Sequence, residues 1–115
     1  GKFSSTLQFV PGDHRKSTVL FDEQVWPHVY DGVEKLKSAA LSATRPLNEL
    51  AIRWILSRPG LSTVLAGARN SLQVHQNVKA MDGEIDPAVF DSFTSISDTI
   101  AASIPDTGNI FRWYP

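Results

Sequence analysis

The sequence predicts an α/β chain, rich in helix, with one clear strand. Two observations carry that prediction. Four helical stretches are signalled, three by apolar residues at helical spacing and one, the third, by a capping motif. Between the second and third of these, Ser62-Thr63-Val64-Leu65-Ala66 is short, apolar and β-branched. It has no alternating polar face, which is the pattern of a strand covered on both sides, as in a parallel sheet.

The elements follow in order. Residues 1–20, GKFSSTLQFVPGDHRKSTVL, are polar and contain Pro11-Gly12-Asp13, a strong turn signal, so they are expected to form a long ordered loop. Val29, Val33, Leu36 and Ala40 are spaced by four, three and four and make one buried helical stripe. Pro27 lies near its start, where a missing N–H does no harm. After Thr44-Arg45-Pro46, the residues Leu47, Leu50, Ala51, Trp54 and Ile55 give the cleanest amphipathic pattern in the chain, with Trp54 on the core side. Pro59-Gly60 ends that helix. Gly67 ends the strand, and Asn70 with Gln73 three residues on is a variant of the capping box, opening a helix from Ser71 to about Met81. Asp86-Pro87 starts the last helix, whose apolar side is Phe90, Phe93, Ile96 and Ile100. Residues 104–115 form an aromatic tail without periodicity.

One strand cannot make a sheet, because a parallel-type strand needs neighbours. The chain is therefore expected either to associate or to be part of a larger α/β protein. Its 115 residues allow one domain or a piece of one. It begins Gly-Lys-Phe-Ser-Ser, without an initiator methionine or the apolar core of a signal peptide, which is the expectation for a fragment. With 11 basic and 12 acidic residues the surface has no basic excess for nucleic acid or anionic membrane. The absence of cysteine removes disulfide scaffolds and thiolate chemistry. No apolar run is long enough to span a bilayer, and the expected location is cytoplasmic.

The sharpest chemical feature is Gly67-Ala68-Arg69-Asn70, where an expected strand meets a capped helix. Helix N-termini present unpaired N–H groups that bind phosphate, and Arg69 adds a fork of donors suited to phosphate oxygens. Gly67 would let a ligand approach the backbone; equally, Gly67 is only a turn and Arg69 only a solvated charge. Gln73, Gln76 and Asn77, separated by three, one and four, share one side of the helix. Their amides either read the edge of a base or are solvated. Lys2, His14, Arg15 and Lys16 make a second basic group, for phosphate or for water. His14, His28 and His75 lack metal-ligand spacing, so no metal is expected. There is no nucleophile elbow, Walker loop or dinucleotide fingerprint. Glu23, Glu49 and Asp91 are expected on solvated helix faces, which leaves no acid–base pair.

The stretch from Leu47 through Ser57-Arg58-Pro59-Gly60-Leu61-Ser62-Thr63-Val64-Leu65-Ala66-Gly67-Ala68-Arg69-Asn70 to Gln73 and Asn77 closely resembles the aldo-keto reductases. It is similar to their seventh helix, eighth strand and eighth helix, and Gly1-Lys2-Phe3 resembles the residues after their seventh strand. The resemblance implies the carboxy-terminal segment of a (β/α)8 TIM barrel over residues 1–115, with residues 1–20 the loop after strand seven, residues 21–103 the helices and strand eight, and residues 104–115 the tail. It implies an enzyme that reduces aldehydes or ketones with NADPH. Gly67, Ala68 and Arg69 would then lie at the adenosine 2′-phosphate, and Gln73, Gln76 and Asn77 at the adenine end. Lys2 and Arg15 would touch or cover the pyrophosphate. The family's catalytic Asp, Tyr, Lys and His belong to earlier strands, so no catalytic residue is assigned here and the chain alone is expected to be inactive. Trp113 and Tyr114 would wall the substrate pocket or pack on outer helices. The alternative is a non-enzymatic helical module that binds a nucleotide or a protein, its stripes covered by self-association or by another chain.

Overall fold

The computed structural model describes residues 3–106, 108, 109 and 111. Two 3-10 turns, His14–Ser17 and Val19–Phe21, precede four α-helices: α1 (Trp26–Ser42), α2 (Leu47–Leu56), α3 (Ser71–Lys79) and α4 (Pro87–Ala102). The chain divides into two compact units, one of Gly1–Lys35 with Ile96–Pro115 and one of Leu36–Ser95. No helix among the described residues is long and apolar enough to cross a membrane.

In the first unit the polar-looking opening loop is organised by rings. Phe21 lies 5.0 Å from Phe3, 5.3 Å from Phe9 and 5.2 Å from Trp26, which in turn is 5.8 Å from Tyr30. Trp26 is buried, and its indole N–H donates to the Ser5 carbonyl at 3.0 Å, so the ring and its polar handle are both satisfied. Val19 and Val25 are buried in the same unit. In the same unit Gly32 is buried on α1, and a Cβ built there would overlap Cγ1 and Cδ1 of Ile100. The glycine is a close-packing device between helical residues.

The second unit is centred on Ala40, Leu50 and Phe93, with Leu36, Leu47, Trp54, Ile85 and Val89 packed around them. Of the expected stripes, Leu36 and Ala40 of α1, Leu47, Leu50 and Trp54 of α2, and Phe93 of α4 belong to this core. Trp54 is half-buried, and its indole N–H donates to the Thr94 hydroxyl at 2.9 Å. That hydroxyl also accepts from Arg58 at 3.1 Å and donates to the Phe90 carbonyl at 2.8 Å, so one threonine joins α2 to α4. Helix α1 closes with Arg45 N–H on the Ala40 carbonyl and Thr44 N–H on the Leu41 carbonyl, with Thr44 left-handed at φ 53°. This is a Schellman-type cap in which threonine takes the place usually given to glycine. Helix α3 ends two residues earlier than expected. Met81 and Asp82 switch to three-residue bonds and Gly83 takes φ +68°.

Two expectations are corrected here. Ser62–Ala66 forms no strand, and Leu65 is 96 % exposed rather than covered on both sides. A strand is stabilised by exchange of backbone hydrogen bonds with a neighbour, and among the described residues there is no second strand to supply them. Glu49 is buried rather than solvated, 3.3 Å from Arg45 one turn away. It stands in the first turn of α2, where the helix dipole favours a carboxylate. Glu23 and Asp91 are exposed as expected.

The carboxyl end of α3 is closed by arginines. Arg53 donates to the carbonyls of Ala80 and Gly83, each at 3.2 Å, and Arg45 donates to that of Asp82. Ala80 is fully buried. Arg53→Met keeps most of the apolar stem and removes the donors. It is expected to cost about 1–3 kcal/mol, read from the urea midpoint, and to speed amide exchange across α3. At Gly32 two effects compete: alanine favours the helix by about 1 kcal/mol, while overpacking costs about 1–3 kcal/mol. Overpacking is expected to win, so Gly32→Ala should lower the midpoint. The same change should be neutral or stabilising once Ile100→Ala has opened the space.

Candidate functional site

The site assembles at the amino end of α3, within the second unit. Asn70 is the N-cap, extended at φ −153° and ψ 167°, and its side chain accepts from the Gln73 amide at 2.9 Å. The expected cap is therefore present. Its reciprocal half is displaced by one residue. The side-chain oxygen of Gln73 accepts from the amide of Arg69, at 2.6 Å, rather than from that of Asn70. One turn further on, the Asn77 amide donates to the Gly67 carbonyl at 3.4 Å. Gly67, Arg69, Asn70, Gln73 and Asn77 are thus one cluster of side-chain-to-backbone bonds holding the loop on its helix.

Arg69 is exposed, and its guanidinium forms no ion pair among the described residues. Gly67 has an ordinary φ, and a Cβ built on it would meet nothing within 4 Å. What glycine contributes at this position is open space rather than an unusual backbone angle. Ala68 and Gln76 are exposed as well. From Gly67 to Lys79 there is no acidic residue. The amides at the helix start, the helix dipole and one forked cation therefore act in the same direction, towards an anion.

Beneath this loop, in the same unit, lies an apolar groove of about 510 Å³ lined by Ile52, Leu56, Val64, Val74 and Val78 among others. It borders Ala68 and Asn77. Val78 and Met81, which line it, are more than half exposed.

Arg15 belongs to the other unit, which is described by itself. Its guanidinium is paired with Asp13, with Nε 2.8 Å from Oδ1, and lies 5.0 Å from the Phe3 ring centroid. The hydrogen bond to Asp13 raises the Arg15 pKa above its ordinary value, against a lowering by desolvation. Asp13 also accepts from the Arg15 amide and so caps the 3-10 turn that carries it. That partner was not anticipated, although an aspartate two residues before an arginine at a Pro-Gly turn is a signal for it. Lys2, Trp113 and Tyr114 lie outside the described residues. Among the described residues no group of histidine and acidic side chains is placed to hold a metal ion.

The model of the Aldo/keto reductase family matches residues 2–98. Over 77 residues the chain is 31 % identical to the NADH-specific methylglyoxal reductase of Escherichia coli (strain K12), a match covering 67 % of this chain and 24 % of that protein. The chain thus spans about a quarter of the length of that curated relative. No solved structure matches. A family pattern that runs from the opening loop through the capped helix and into α4 decides the matter: the chain belongs to the aldo/keto reductase family.

Proposed function

We propose that this chain is part of an oxidoreductase that reduces aldehydes or ketones with a nicotinamide cofactor, and that residues 67–77 hold the adenosine end of NADPH. The observation that carries the reading is the exposed, unpaired Arg69 at the amino end of a capped helix, in a member of this family. Arg69 would face the 2′-phosphate as a two-pronged donor, while Gly67 and Ala68 leave room for the phosphate to reach the helix amides. Gln73, Gln76 and Asn77 would line the adenine side. Arg15, taken by itself in the other unit, would meet a phosphate only by exchanging Asp13 for a phosphate oxygen.

The residues present fit such a group: a cation, a helix amino terminus, neutral side-chain amides and no carboxylate between Gly67 and Lys79 to repel a phosphate. The bound nicotinamide would supply the hydride to the carbonyl carbon of the substrate. What this chain would supply is grip and orientation at the far end of the cofactor, with turnover left to residues of the parent enzyme. The name of the Escherichia coli relative gives NADH as the cofactor of that protein. For this chain Arg69 supports NADPH, because a 2′-phosphate is the only part of the pair of cofactors that needs an additional cation there.

Arg69→Ala tests the reading. Losing hydrogen bonds to a charged partner is expected to weaken NADPH binding by about 10- to 100-fold. Binding of NADH should change by less than about threefold, and turnover of the intact enzyme at saturating cofactor should be kept. An unchanged ratio of NADPH to NADH affinity would remove Arg69 from the site.

A further inference from the structure

The dipeptide Asp-Gly occurs twice in the chain, at Asp31-Gly32 and at Asp82-Gly83, and the two copies stand in opposite settings. Asp31 and Gly32 lie inside α1, where the Gly32 N–H belongs to the helical ladder. The Asp31 carboxylate is 2.7 Å from the Lys35 ammonium, and Gly32 is buried against Ile100. Asp82 and Gly83 lie in the turn after α3, and both are exposed. Among the described residues no hydrogen bond or ion pair engages the Gly83 N–H or the Asp82 carboxylate. The groups of this turn that are held are its carbonyls: Arg45 donates to that of Asp82, and Arg53 to that of Gly83 at 3.2 Å. The Asp82 carbonyl and the Gly83 N–H belong to one peptide unit. A cation donating to that oxygen stabilises negative charge on the peptide nitrogen, so the nitrogen gives up its proton more easily. The carboxyl carbon of Asp82 is within ring-closing reach of that nitrogen, and glycine has no side chain to hinder the approach.

We propose that Asp82-Gly83 is a modification site, at which the chain isomerises spontaneously to isoaspartate, while Asp31-Gly32 is held back by its helix. The Gly83 nitrogen loses its proton and bonds to Cγ of Asp82, a Cγ–O bond breaks, and one water leaves, which closes a succinimide. Water then adds to one of the two imide carbonyls, the C–N bond there breaks, and the nitrogen takes back a proton. Addition at Cγ restores aspartate. Addition at the former main-chain carbonyl, the one that Arg45 polarises, gives isoaspartate, with the chain now routed through Cγ. No oxidant or reductant takes part. The oxygen that Arg45 holds then belongs to a full carboxylate, so the product makes a charge-assisted pair. The main chain to Gly83 is longer by one atom, which displaces the Gly83 carbonyl from Arg53. The change therefore falls on the turn that closes α3.

The test ages the protein in its folded state and in urea, and follows both dipeptides by peptide mapping that separates isoaspartyl from aspartyl peptides. In the folded protein isoaspartate is expected to accumulate at least about fivefold faster at Asp82 than at Asp31, the ratio that one net hydrogen bond to the Gly32 amide supports. In urea the two rates should converge, because the contrast belongs to the fold and not to the dipeptide. As the product builds up, amide exchange across α3 should quicken. Asp82→Glu keeps the charge but would have to close a larger ring, which forms far more slowly. Aged in the same way, that variant should show no isomerised product at position 82 and unchanged exchange in α3. Equal rates at Asp31 and Asp82 in the folded protein overturn the proposal. So does isoaspartate that appears at Asp82 only in urea, since the two arginines would then be holding the turn out of reach of the reaction. Exchange in α3 that quickens as much in aged Asp82→Glu protein as in the wild type would sever the modification from the helix end.

Discussion

Helix α3 is held from its far end. Most of its residues are exposed, Leu72, Val74 and Val78 among them, so burial along its length contributes little to fixing it. The fixed point is the turn after Lys79. There Ala80 is fully buried and Arg45 and Arg53, from the region of α2, close the carbonyls of Ala80, Asp82 and Gly83. Cations at the carboxyl end of a helix complement its dipole as well as its unpaired carbonyls. Arg45 is itself tied down by the buried Glu49 and stands in the cap that ends α1. The geometry at the amino end of α3 is in this way inherited from the core around Leu50 and Phe93.

The near end is built by different means. From Gly67 to Asn77 the contacts are side-chain-to-backbone hydrogen bonds between exposed groups. Each such bond is worth about 1 kcal/mol net, so the loop is shaped but not locked. A binding site placed there gains open backbone and an unpaired cation, at the cost of local stability. Low stability at binding loops is the ordinary arrangement, since the groups that meet a ligand cannot also be spent on the fold. The Arg15 side chain shows the opposite solution in the other unit: it is already paired with Asp13, so any phosphate must compete with a carboxylate.

The helices were legible because their signals are local. The spacing from Leu47 to Ile55 and the caps at Asn70 and Asp86 are statements about neighbours within one or two turns, and the structure agrees with each. The strand was not a local statement. Ser62–Ala66 has the right residues, but a strand exists only where another strand meets it, and composition cannot supply one. The aromatic cluster around Phe21 was missed for the same reason. Phe3, Phe9 and Trp26 are too far apart for any periodicity, and Phe3 and Phe9 lie in a stretch whose composition reads as a polar loop. At the site, the identity of the cluster was readable from Gly67, Arg69, Gln73 and Asn77. The partner of each side chain was not, because a one-residue shift in a cap changes which amide receives the bond.

The eight residues from Leu61 to Ala68 carry no charge and no proline, and Leu65 is almost wholly open to solvent. Runs of this kind stack with copies of themselves when they meet in an unfolded or partly folded chain, because every unpaired backbone group then finds a partner. Arg58 and Arg69 stand on either side of this run. In a stack, each would be repeated about every 4.8 Å with its like charge above and below. Such repulsion is what flanking gatekeeper charges provide. Arg69, proposed as the partner of a phosphate, is thereby also a brake on aggregation, and replacing it with an uncharged residue removes that brake.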